Sequence, residues 1–493
     1  MAITKSLINR LGFVALSLTL GFAAEIASAQ TFTTLHNFDG TDGYSPMSGL
    51  VQATNGDLYG TSYGQDVGSG EGAPPGVFGT VFKITPSGAL TSLYSFCAQS
   101  GWADGAHPDA ALVQATNGDF YGTTQSGGVG ASCSNQPGCG TVFKMTPAGT
   151  LTTLYSFCTQ TGCPDGGEPS AGLVQAANGD LYGTTYLGGA YADGTVFKIT
   201  PSGTLTTLHS FDFTDGANPQ AGLVQAVDGD LYGTTLLGGT GGTVFKMTTA
   251  GTLTTLYSFC SQAGCPDGGV PFAGLVQGSD GDLYGTTEGG GSQNAGTVFK
   301  ITPTGALTTL YSFCSHSKCA DGGYPFAGMV QATDGNLYGT TSLGGAYDKG
   351  TVFNITPSGM LTTLHSFCRL MDGCGIEPDA GLAQDTNGNL FGTTFEGGTK
   401  GCCYGTVFSL SVGLGAFVKT QPAVGLVGAP VNILGSDLTG ATSVTFNGTP
   451  ATFAVVSARE ITTTVPTGAT SGKVQVVTPS GTLSSNVAFE VAP

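Results

Sequence analysis

Residues 171–211 read AGLVQAANGDLYGTTYLGGAYADGTVFKITPSGTLTTLHSF, and this stretch decides the fold because its four short motifs recur through most of the chain. The motifs are AGLVQ, LYGTT, GTVF and TTLxxF, and each occurs seven times with small variations. Each is a short run rich in Val, Phe, Tyr, Leu or Thr between turn residues, which is typical of a β-strand. The stretch therefore predicts a meander of four antiparallel strands.

The repeat length indicates how these meanders are arranged. The GTVF motif starts at Gly79, Gly140, Gly194, Gly242, Gly296, Gly350 and Gly405. These intervals of 48 to 61 residues are in the range expected for propeller blades. A single four-stranded sheet cannot bury both of its faces, whereas sheets arranged around an axis cover one another. We therefore predict an all-β fold, a seven-bladed β-propeller of four-stranded antiparallel blades over residues 30–410.

Two details of the repeat bear on ring closure and on turns. The chain opens with a lone TTLxxF motif at residues 31–38 and ends its repeats with the other three motifs at residues 380–410. We therefore expect the N-terminal strand to complete the last blade, which hides an edge that would otherwise invite aggregation. Asn-Gly or Asp-Gly, such as Asn178-Gly179, joins AGLVQ to LYGTT and favours a type I′ hairpin.

Composition excludes several other classes of protein. Glycine accounts for 83 of 493 residues, charged residues for 9%, and the formal net charge is -18. Nucleic-acid binding needs many cationic side chains, and the chain has only 14 Lys and Arg. Helical solenoids need Ala, Glu, Lys and Leu in place of Gly and Thr, and a hydrophobic content of 40% disfavours disorder. We expect no nucleic-acid partner.

The first 29 residues have the pattern of a signal peptide. Lys5 and Arg10 precede an apolar run at residues 11–24, and residues 27–29 read A-S-A, a small-residue cleavage site. The run is short for a bilayer span, and an uncleaved membrane anchor is the alternative. We expect an exported protein, extracellular, at the cell surface or periplasmic, without a membrane span in the mature chain.

The thirteen cysteines fit an exported protein. Most occur as close pairs, which predict local disulfides in an oxidising compartment. The predicted pairs are Cys133/Cys139, Cys158/Cys163, Cys260/Cys265, Cys314/Cys319 and Cys368/Cys374. A zinc site is the alternative, which we disfavour because the pairs fall in separate repeats and the chain has only five His. Cys97 is predicted to be unpaired, because Trp102 takes the place of the second Cys in its repeat. The states of Cys402 and Cys403 stay open.

The repeat unit resembles a known family. GTVFKITPSGTLTTL, together with DLYGTT followed by paired Gly, is similar to the Gloeo/Verruco (GloVer) tandem repeat of bacterial exported proteins. Its layout is also similar to that of Kelch blades. The resemblance covers about residues 31–410 and implies a propeller-like surface protein, often joined to a C-terminal attachment domain, without a characterised activity.

A second domain is expected after the repeats. Residues 411–421 have the composition of a linker, and residues 422–493 resemble an IPT/TIG immunoglobulin-like domain. Alternation predicts a sandwich core made of Val431, Ile433, Val444, Phe446, Phe453, Ile461, Val465, Val474, Val476 and Phe489. Such domains also occur in DNA-binding proteins. Because Arg459 and Lys473 are nearly the only basic residues here, we expect a spacer or attachment role.

The links between strands differ between the two faces of the predicted ring. The links from AGLVQ to LYGTT and from GTVF to TTLxxF are short and uniform, whereas the other two are longer, variable and carry the cysteines. Variable loops on a rigid scaffold are where binding sites usually lie. We therefore place the candidate site on the face with the cysteine-bearing links, called the loop face below.

Two sequence positions on the loop face vary from repeat to repeat. After the loop proline the residues are Met47, Asp109, Ser170, Gln220, Phe272, Phe326 and Asp379. After LYGTT they are Tyr63, Gln125, Tyr186, Leu236, Glu288, Ser342 and Phe395, with Glu396 next. Aromatic rings and polar groups around a channel mouth suit stacking on sugar rings and hydrogen bonds to hydroxyls. The ligand-binding candidates are Tyr63, Gln125, Tyr186, Phe272, Phe326 and Phe395.

Three functions stay open on this reasoning. We favour an exported, non-enzymatic binding or scaffolding propeller that recognises carbohydrate or an envelope protein. The first alternative is a polysaccharide lyase or glycoside hydrolase in which carboxylates act as acid and base. The candidates for that role are Asp109, Asp379, Glu288 and Glu396. The second alternative is a purely structural cell-envelope protein, in which these are ordinary rim residues. No Ser-His-Asp, H-E-x-x-H, P-loop or dinucleotide motif is present.

We predict neither a cofactor nor a metal ion. The Asp of the repeated D-G-x-x-P segment offers oxygen atoms of the kind that calcium takes, which is the alternative. We interpret it as a residue that shapes turns. Its copies are Asp42, Asp104, Asp165, Asp215, Asp267 and Asp321.

Overall fold

The computed structural model describes residues 30–65, 77–134, 136–368, 375–399 and 404–492. The predicted signal peptide, residues 1–29, lies outside the described residues, as do Cys374, Cys402 and Cys403. Among the described residues, no helix has the length and apolar character needed to cross a membrane.

The repeat region consists almost entirely of strands, with short 3-10 helices at Ser100–Trp102 and Ser317–Cys319. Its first strands are β1 Thr31–Asn37, β2 Val51–Gln52, β3 Leu58–Ser62, β4 Thr80–Ile84, β5 Leu90–Ser95, β6 Val113–Gln114, β7 Phe120–Thr124, β8 Thr141–Met145, β9 Leu151–Ser156, β10 Val174–Gln175, β11 Leu181–Thr185, β12 Thr195–Ile199, β13 Leu205–Ser210, β14 Val224–Gln225 and β15 Leu231–Thr235. The others are β16 Thr243–Met247, β17 Leu253–Ser258, β18 Val276–Gln277, β19 Leu283–Thr287, β20 Thr297–Ile301, β21 Leu307–Ser312, β22 Val330–Gln331, β23 Leu337–Thr341, β24 Thr351–Ile355, β25 Leu361–Ser366, β26 Gly375–Ile376, β27 Ala383–Gln384, β28 Leu390–Thr394, β29 Glu396–Gly397 and β30 Thr406–Ser411.

Seven four-stranded antiparallel sheets occupy the described part of this region, and we number them one to seven along the chain. Sheets one to six follow chain order, from β2-β3-β4-β5 to β22-β23-β24-β25. Sheet seven has the order β1-β30-β28-β27, with Thr31 opposite Ser411 and Asn37 opposite Thr406. The N-terminal strand therefore lies beside the last strand of the repeat region and completes its sheet.

A repeated hydrogen bond joins each sheet to the next. The fourth residue of LYGTT donates its hydroxyl to a carbonyl beside the following inner strand, as Thr184 does to Ala221 O at 3.2 Å. The same bond joins sheet seven to sheet one, because Thr393 Oγ1 donates to Ser48 O at 3.2 Å. The sheets therefore form a closed ring around one axis. The predicted all-β, propeller-like architecture is confirmed.

The core lies between neighbouring sheets, where their aromatic side chains interleave. Phe157 of sheet two packs edge-to-face on Phe197 of sheet three, with ring centroids 5.2 Å apart, and both rings are fully buried. The glycine of LYGTT makes this packing possible: a Cβ on Gly183 would lie 2.7 Å from both Leu173 and Phe197. The invariant glycine of the motif thus has a packing cause, since interiors of this density leave no room for the added carbon.

The hairpin between AGLVQ and LYGTT differs from the prediction. In sheet three, Gly179 N donates to Ala176 O and Ala176 N donates to Asp180 O, at 2.9 and 3.0 Å. Gly179 has a φ of +85°, but Asn178 is not among the residues with positive φ. A type I′ turn needs positive φ at both central residues, so the predicted turn type is wrong. The pattern is that of a three-residue loop, a type I turn followed by glycine in the left-handed region.

The C-terminal domain is a sandwich of two four-stranded sheets, β31-β33-β37-β36 and β35-β34-β38-β39, with β32 and β40 paired in parallel. Its strands are β31 Lys419–Gln421, β32 Val424–Gly425, β33 Pro430–Leu434, β34 Ser443–Phe446, β35 Thr449–Pro450, β36 Phe453–Ser457, β37 Glu460–Thr464, β38 Val474–Thr478, β39 Gly481–Ser484 and β40 Glu490–Val491. Nine of the ten predicted core residues are buried in one cluster, and the tenth, Phe453, is partly buried against it. Because β31 belongs to the sandwich, the segment between the domains is shorter than the predicted linker, residues 411–421.

Candidate functional site

The axis of the ring holds a cavity of about 400 Å³. Every sheet contributes the same three positions to its wall, namely the residue after the loop proline and the two residues that follow it. The side chains that differ between sheets are those of Met47, Asp109, Ser170, Gln220, Phe272, Phe326 and Asp379. The seven equivalent positions therefore converge on one space, and the small residues after them leave that space open.

A second cavity, of about 550 Å³, lies at the mouth of the first on the loop face. The two share Met47, Asp109, Gln220 and Phe272, so they are continuous. The mouth is also lined by Ser45, Tyr63, Gly64, Gln65, Gln125, Phe395 and Glu396. We refer to the two cavities together as the axial site.

The axial site contains most, but not all, of the residues singled out from the sequence. Residues that line it are Tyr63, Asp109, Gln125, Phe272, Phe326, Asp379, Phe395 and Glu396. Tyr186 and Glu288 do not line either cavity, although each follows an LYGTT strand on the same face. The sevenfold repeat places equivalent residues at equivalent radii, but which of them contact the cavity depends on the neighbouring loops.

A third variable position was missed in the sequence, the residue before the loop proline. Its copies are Ser45, His107, Glu168, Asn218, Val270, Tyr324 and Glu377, and all have φ between 50° and 57°. Ser45 lines the mouth. The signal was present, because these residues vary as much as those after the proline, and a left-handed backbone at a residue other than Gly occurs preferentially at special sites.

Two carboxyl groups of the axial site have raised pKa values. Burial raises the pKa of Asp109 to about 6. Burial also raises the pKa of Asp379 to about 7, opposed by a hydrogen bond from Ser342 and assisted by the negative charges of Glu377, Glu396 and Asp109. Asp379 is therefore close to half ionised at neutral pH, whereas Asp109 is mostly ionised there and gains its proton in mildly acidic solution.

Charges near Asp379 are only partly compensated. Lys349 Nζ forms an ion pair with Glu377 Oε1 at 3.1 Å. Burial and the charge of Glu377 raise the pKa of Glu396, and Lys349 opposes this shift. Among the described residues that line the axial site there is no Lys, Arg or His. The described lining is therefore acidic, and Lys349 is paired with Glu377 rather than with a carboxylate of the lining.

The wall of the site across the axis from Asp109 is aromatic. Phe272 and Phe326 pack edge-to-face, with ring centroids 5.3 Å apart and planes at 88°. At the mouth, Tyr63 Oη donates to Gln125 Oε1 at 3.0 Å. This bond fixes the amide so that its nitrogen remains the donor for a ligand.

Disulfides hold the links around the mouth. Bonds join Cys133 to Cys139, Cys158 to Cys163, Cys260 to Cys265 and Cys314 to Cys319, as predicted. Cys368 is also disulfide-bonded, and its predicted partner Cys374 lies outside the described residues. Cys97 is free, as predicted, and Trp102 is buried beside it in one apolar cluster.

Four of the paired cysteines lie closer together than we expected. The sulfurs of Cys133, Cys139, Cys158 and Cys163 all lie within 4.8 Å of one another, although we expected the pairs to be apart. The links after the LYGTT and TTLxxF strands of one sheet meet on the loop face, which sequence spacing does not reveal. Because all four sulfurs are in disulfide bonds, they offer no thiolate to a metal.

The repeated Asp of D-G-x-x-P is engaged in hydrogen bonds within its own loop. In every described copy it accepts a bond from the His or Tyr of the TTLxxF strand, as between Tyr155 Oη and Asp165 Oδ2 at 2.9 Å or His209 Nε2 and Asp215 Oδ2 at 2.7 Å. Cys158 N also donates to Asp165. These contacts support the interpretation of this Asp as a residue that shapes turns.

The C-terminal domain packs against the propeller at the end of the axis away from the loop face. A cavity of about 350 Å³ there is lined by inner-strand residues such as Val51 and Val113 and by residues 420–424 of the C-terminal domain. Ser436 Oγ donates to Asn387 Oδ1 at 2.7 Å across this interface. The axial site is therefore approached from the loop face.

The fold and this site define a class of protein, an all-β propeller with an acidic and aromatic cavity on its axis, joined to an immunoglobulin-like domain. The chain belongs to the Gloeobacter/Verrucomicrobia repeat family, which matches residues 19–163, 131–327 and 315–429. The IPT/TIG domain matches residues 417–491. Both resemblances seen in the sequence are thereby confirmed.

Two solved structures are similar to this chain at low sequence identity. A fungal alcohol oxidase of the AA5 family, in complex with copper, is 12% identical with a TM-score of 0.52, over 94% of this chain and 99% of its own. Virginiamycin B lyase from Staphylococcus aureus is 12% identical with a TM-score of 0.49, over 77% of this chain and 99% of its own. No sequence among curated proteins matches this chain. These similarities concern the fold alone.

Proposed function

We propose that this protein is an exported, non-enzymatic binding protein that takes a carbohydrate into the axial site from the loop face. The observation that carries the proposal is the composition of the mouth, where aromatic rings, amides and carboxylates from different sheets line one cavity. Aromatic faces stack on the C–H faces of sugars, while amides and carboxylates bond to the hydroxyls. The disulfides support export, because such bonds persist in oxidising compartments.

The size of the axial site and the rigidity of its surroundings support the same function. Volumes of about 400 and 550 Å³ lie within the range of small-molecule sites. The mouth residues lie at the ends of short strands, and disulfides close two of their links, Cys133–Cys139 after Gln125 and Cys260–Cys265 before Phe272. A site held in this way loses little conformational entropy when a ligand binds, which favours affinity.

A glycan-binding measurement on the mature chain, residues 30–493, tests the proposal. We expect an oligosaccharide to bind in isothermal titration calorimetry, and the Kd to rise at least tenfold in Phe272→Ala, which removes an aromatic wall of the site. Tyr191→Ala is the matched control, because Tyr191 is 64% exposed and does not line the axial site. The proposal fails if no glycan binds, or if both variants bind as the wild type does.

One observation favours a second candidate function, a polysaccharide lyase or glycoside hydrolase. Asp109 and Asp379 line the same cavity and have pKa values of about 6 and 7, which suits an acid and a base near neutral pH. Turnover of a bound polysaccharide, lost in Asp109→Asn or Asp379→Asn, would establish catalysis. Binding without turnover by the wild type leaves the binding function.

A further inference from the structure

The two sides of the axial cavity differ because the seven equivalent positions carry different residues. In order round the ring, from sheet one to sheet seven, they are Met47, Asp109, Ser170, Gln220, Phe272, Phe326 and Asp379. Sheet seven adjoins sheet one, so Asp379 and Asp109 flank Met47. Phe272 and Phe326 are three and four places from Asp109, and in a ring of seven these are the places directly across the axis. Asp109 therefore faces Phe272 and Phe326 across the axis, whereas Asp379 adjoins Phe326. We call the two aspartates the acidic side and the two phenylalanines the aromatic side.

The acidic side has no cationic partner of its own among the described residues. Burial alone acts on the pKa of Asp109, and Lys349 is paired with Glu377, one of the acidic neighbours of Asp379. An ionised carboxylate in such a place is costly until an opposite charge or a strong donor arrives. The aromatic side offers the faces and edges of two rings, which attract both apolar surface and cations.

We propose that the ligand is an amino sugar or an oligomer of one, with its protonated amine on the side of Asp109 and Asp379 and an apolar face of its ring against Phe272 and Phe326. This inference rests on the carbohydrate-binding function and names the class of sugar. Uronic acids and sugar phosphates are excluded by repulsion, because the described lining has carboxylates and no cation. A neutral sugar binds more weakly, because it leaves the carboxylates unpaired.

The acidic side also predicts how affinity depends on pH. The charged groups around Asp379 are Asp109, Glu377 and Glu396, with Lys349 beyond Glu377. A bound ammonium group favours the ionised form of the two aspartates, so binding releases protons below pH 7. Affinity for the amino sugar therefore rises from pH 5 as the aspartates ionise and falls again at higher pH as the amine of the sugar loses its proton, whereas affinity for a neutral sugar has no such maximum.

Three oligosaccharides of equal length and β-1,4 linkage test the inference, since they differ only in the substituent at C2: an amine in chitosan oligomers, an acetamide in chitin oligomers and a hydroxyl in cello-oligosaccharides. At pH 6, where the amine is protonated, and at physiological salt we expect calorimetry to give at least tenfold tighter binding of the amine form. Asp109→Asn and Asp379→Asn should each reduce this preference, and Asp437→Asn, an exposed change on the C-terminal domain, should retain it. Thermal melts confirm that each variant is folded.

The possible outcomes separate the two proposals. Equal binding of all three oligomers overturns the amino-sugar inference and leaves the carbohydrate-binding function. An amine preference that persists in both aspartate variants also overturns it, because the net charge of -18 would then attract the cation without the site. Absence of binding by all three, while an unrelated glycan binds, overturns only the class of sugar. Absence of any glycan binding overturns the carbohydrate-binding function as well.

Discussion

Replacing Asp379 by Asn should stabilise the propeller at alkaline pH and have much less effect at pH 5. Burial raises the pKa of this carboxyl from 3.8 to about 7 in the folded chain. The folded state therefore holds the proton more tightly than the unfolded state does, and the free energy of unfolding falls as pH rises from about 4 through 7. Asparagine has no charge to bury, so the free energy of unfolding of the variant does not show this decrease.

The size of the effect follows from the shifted values. One pKa unit corresponds to about 1.4 kcal/mol. Between pH 5 and pH 8, the ionisation of Asp379 should lower the free energy of unfolding of the wild type by about 3 kcal/mol. The ionisation of Asp109, with a pKa of about 6, should lower it by about 1 kcal/mol. The hydrogen bond between Ser342 Oγ and Asp379 Oδ1, 2.5 Å long, can persist in the variant because the amide oxygen also accepts.

Urea unfolding at pH 5, 6, 7 and 8 measures the difference. We expect the stability of Asp379→Asn relative to the wild type to increase by about 3 kcal/mol across this interval. Asp437→Asn, exposed on the C-terminal domain, controls for the loss of one negative charge. A difference for Asp379→Asn that changes by less than about 1 kcal/mol would refute the conclusion that this carboxyl is buried and protonated near neutrality.

Three further predictions concern the ring and its loops. Phe38→Ala, at a fully buried ring directly after β1, should lower stability by about 3–5 kcal/mol. Phe211→Ala, directly after the last strand of sheet three, should cost about the same in urea titrations. A cost under about 1 kcal/mol for Phe38→Ala would mean that β1 does not seal the ring. Replacing both Cys260 and Cys265 by Ser should lower the free energy of unfolding by about 2 kcal/mol. Because this variant has one disulfide fewer, dithiothreitol should lower its melting temperature less than that of the wild type. Gly183→Ala should lower stability by about 1–3 kcal/mol through overpacking, and an unchanged melting curve would contradict the packing role of this glycine.

Much of the fold was predictable because the same four motifs occur seven times in the chain. A motif such as GTVF is ambiguous once, but its recurrence at blade-length intervals requires the same local structure each time. The unequal ends of the repeat, with one strand first and three last, indicated the pairing that β1 and β30 make. The prediction of the turn type was wrong for a physical reason, because Asn-Gly and Asp-Gly occur in more than one type of hairpin. The length of the loop selects among these types, and the bond between Gly179 N and Ala176 O sets that length.

The candidate site was only partly predictable. The loop face and the variable position after the proline followed from strand connectivity, and Asp109, Phe272 and Asp379 do line the axial cavity. Tyr186 and Glu288 do not line this cavity. A repeat defines which residues are equivalent, but it does not define how close each loop lies to the axis. The position before the proline escaped notice, since its left-handed backbone is a property of the folded link.

The amino-acid sequence by itself determined the strand order within each sheet, the repeat that generates the ring, the local disulfides and the second domain, because all of these depend on residues close together in the chain. Only the tertiary structure decided that Asp109 faces Phe272 and Phe326 across the axis, that four cysteine sulfurs from two links meet within 4.8 Å, and that the C-terminal domain packs on the far end. Those relations join residues tens to hundreds of positions apart, and they arise from the way sheets, links and domains pack, which no local pattern encodes.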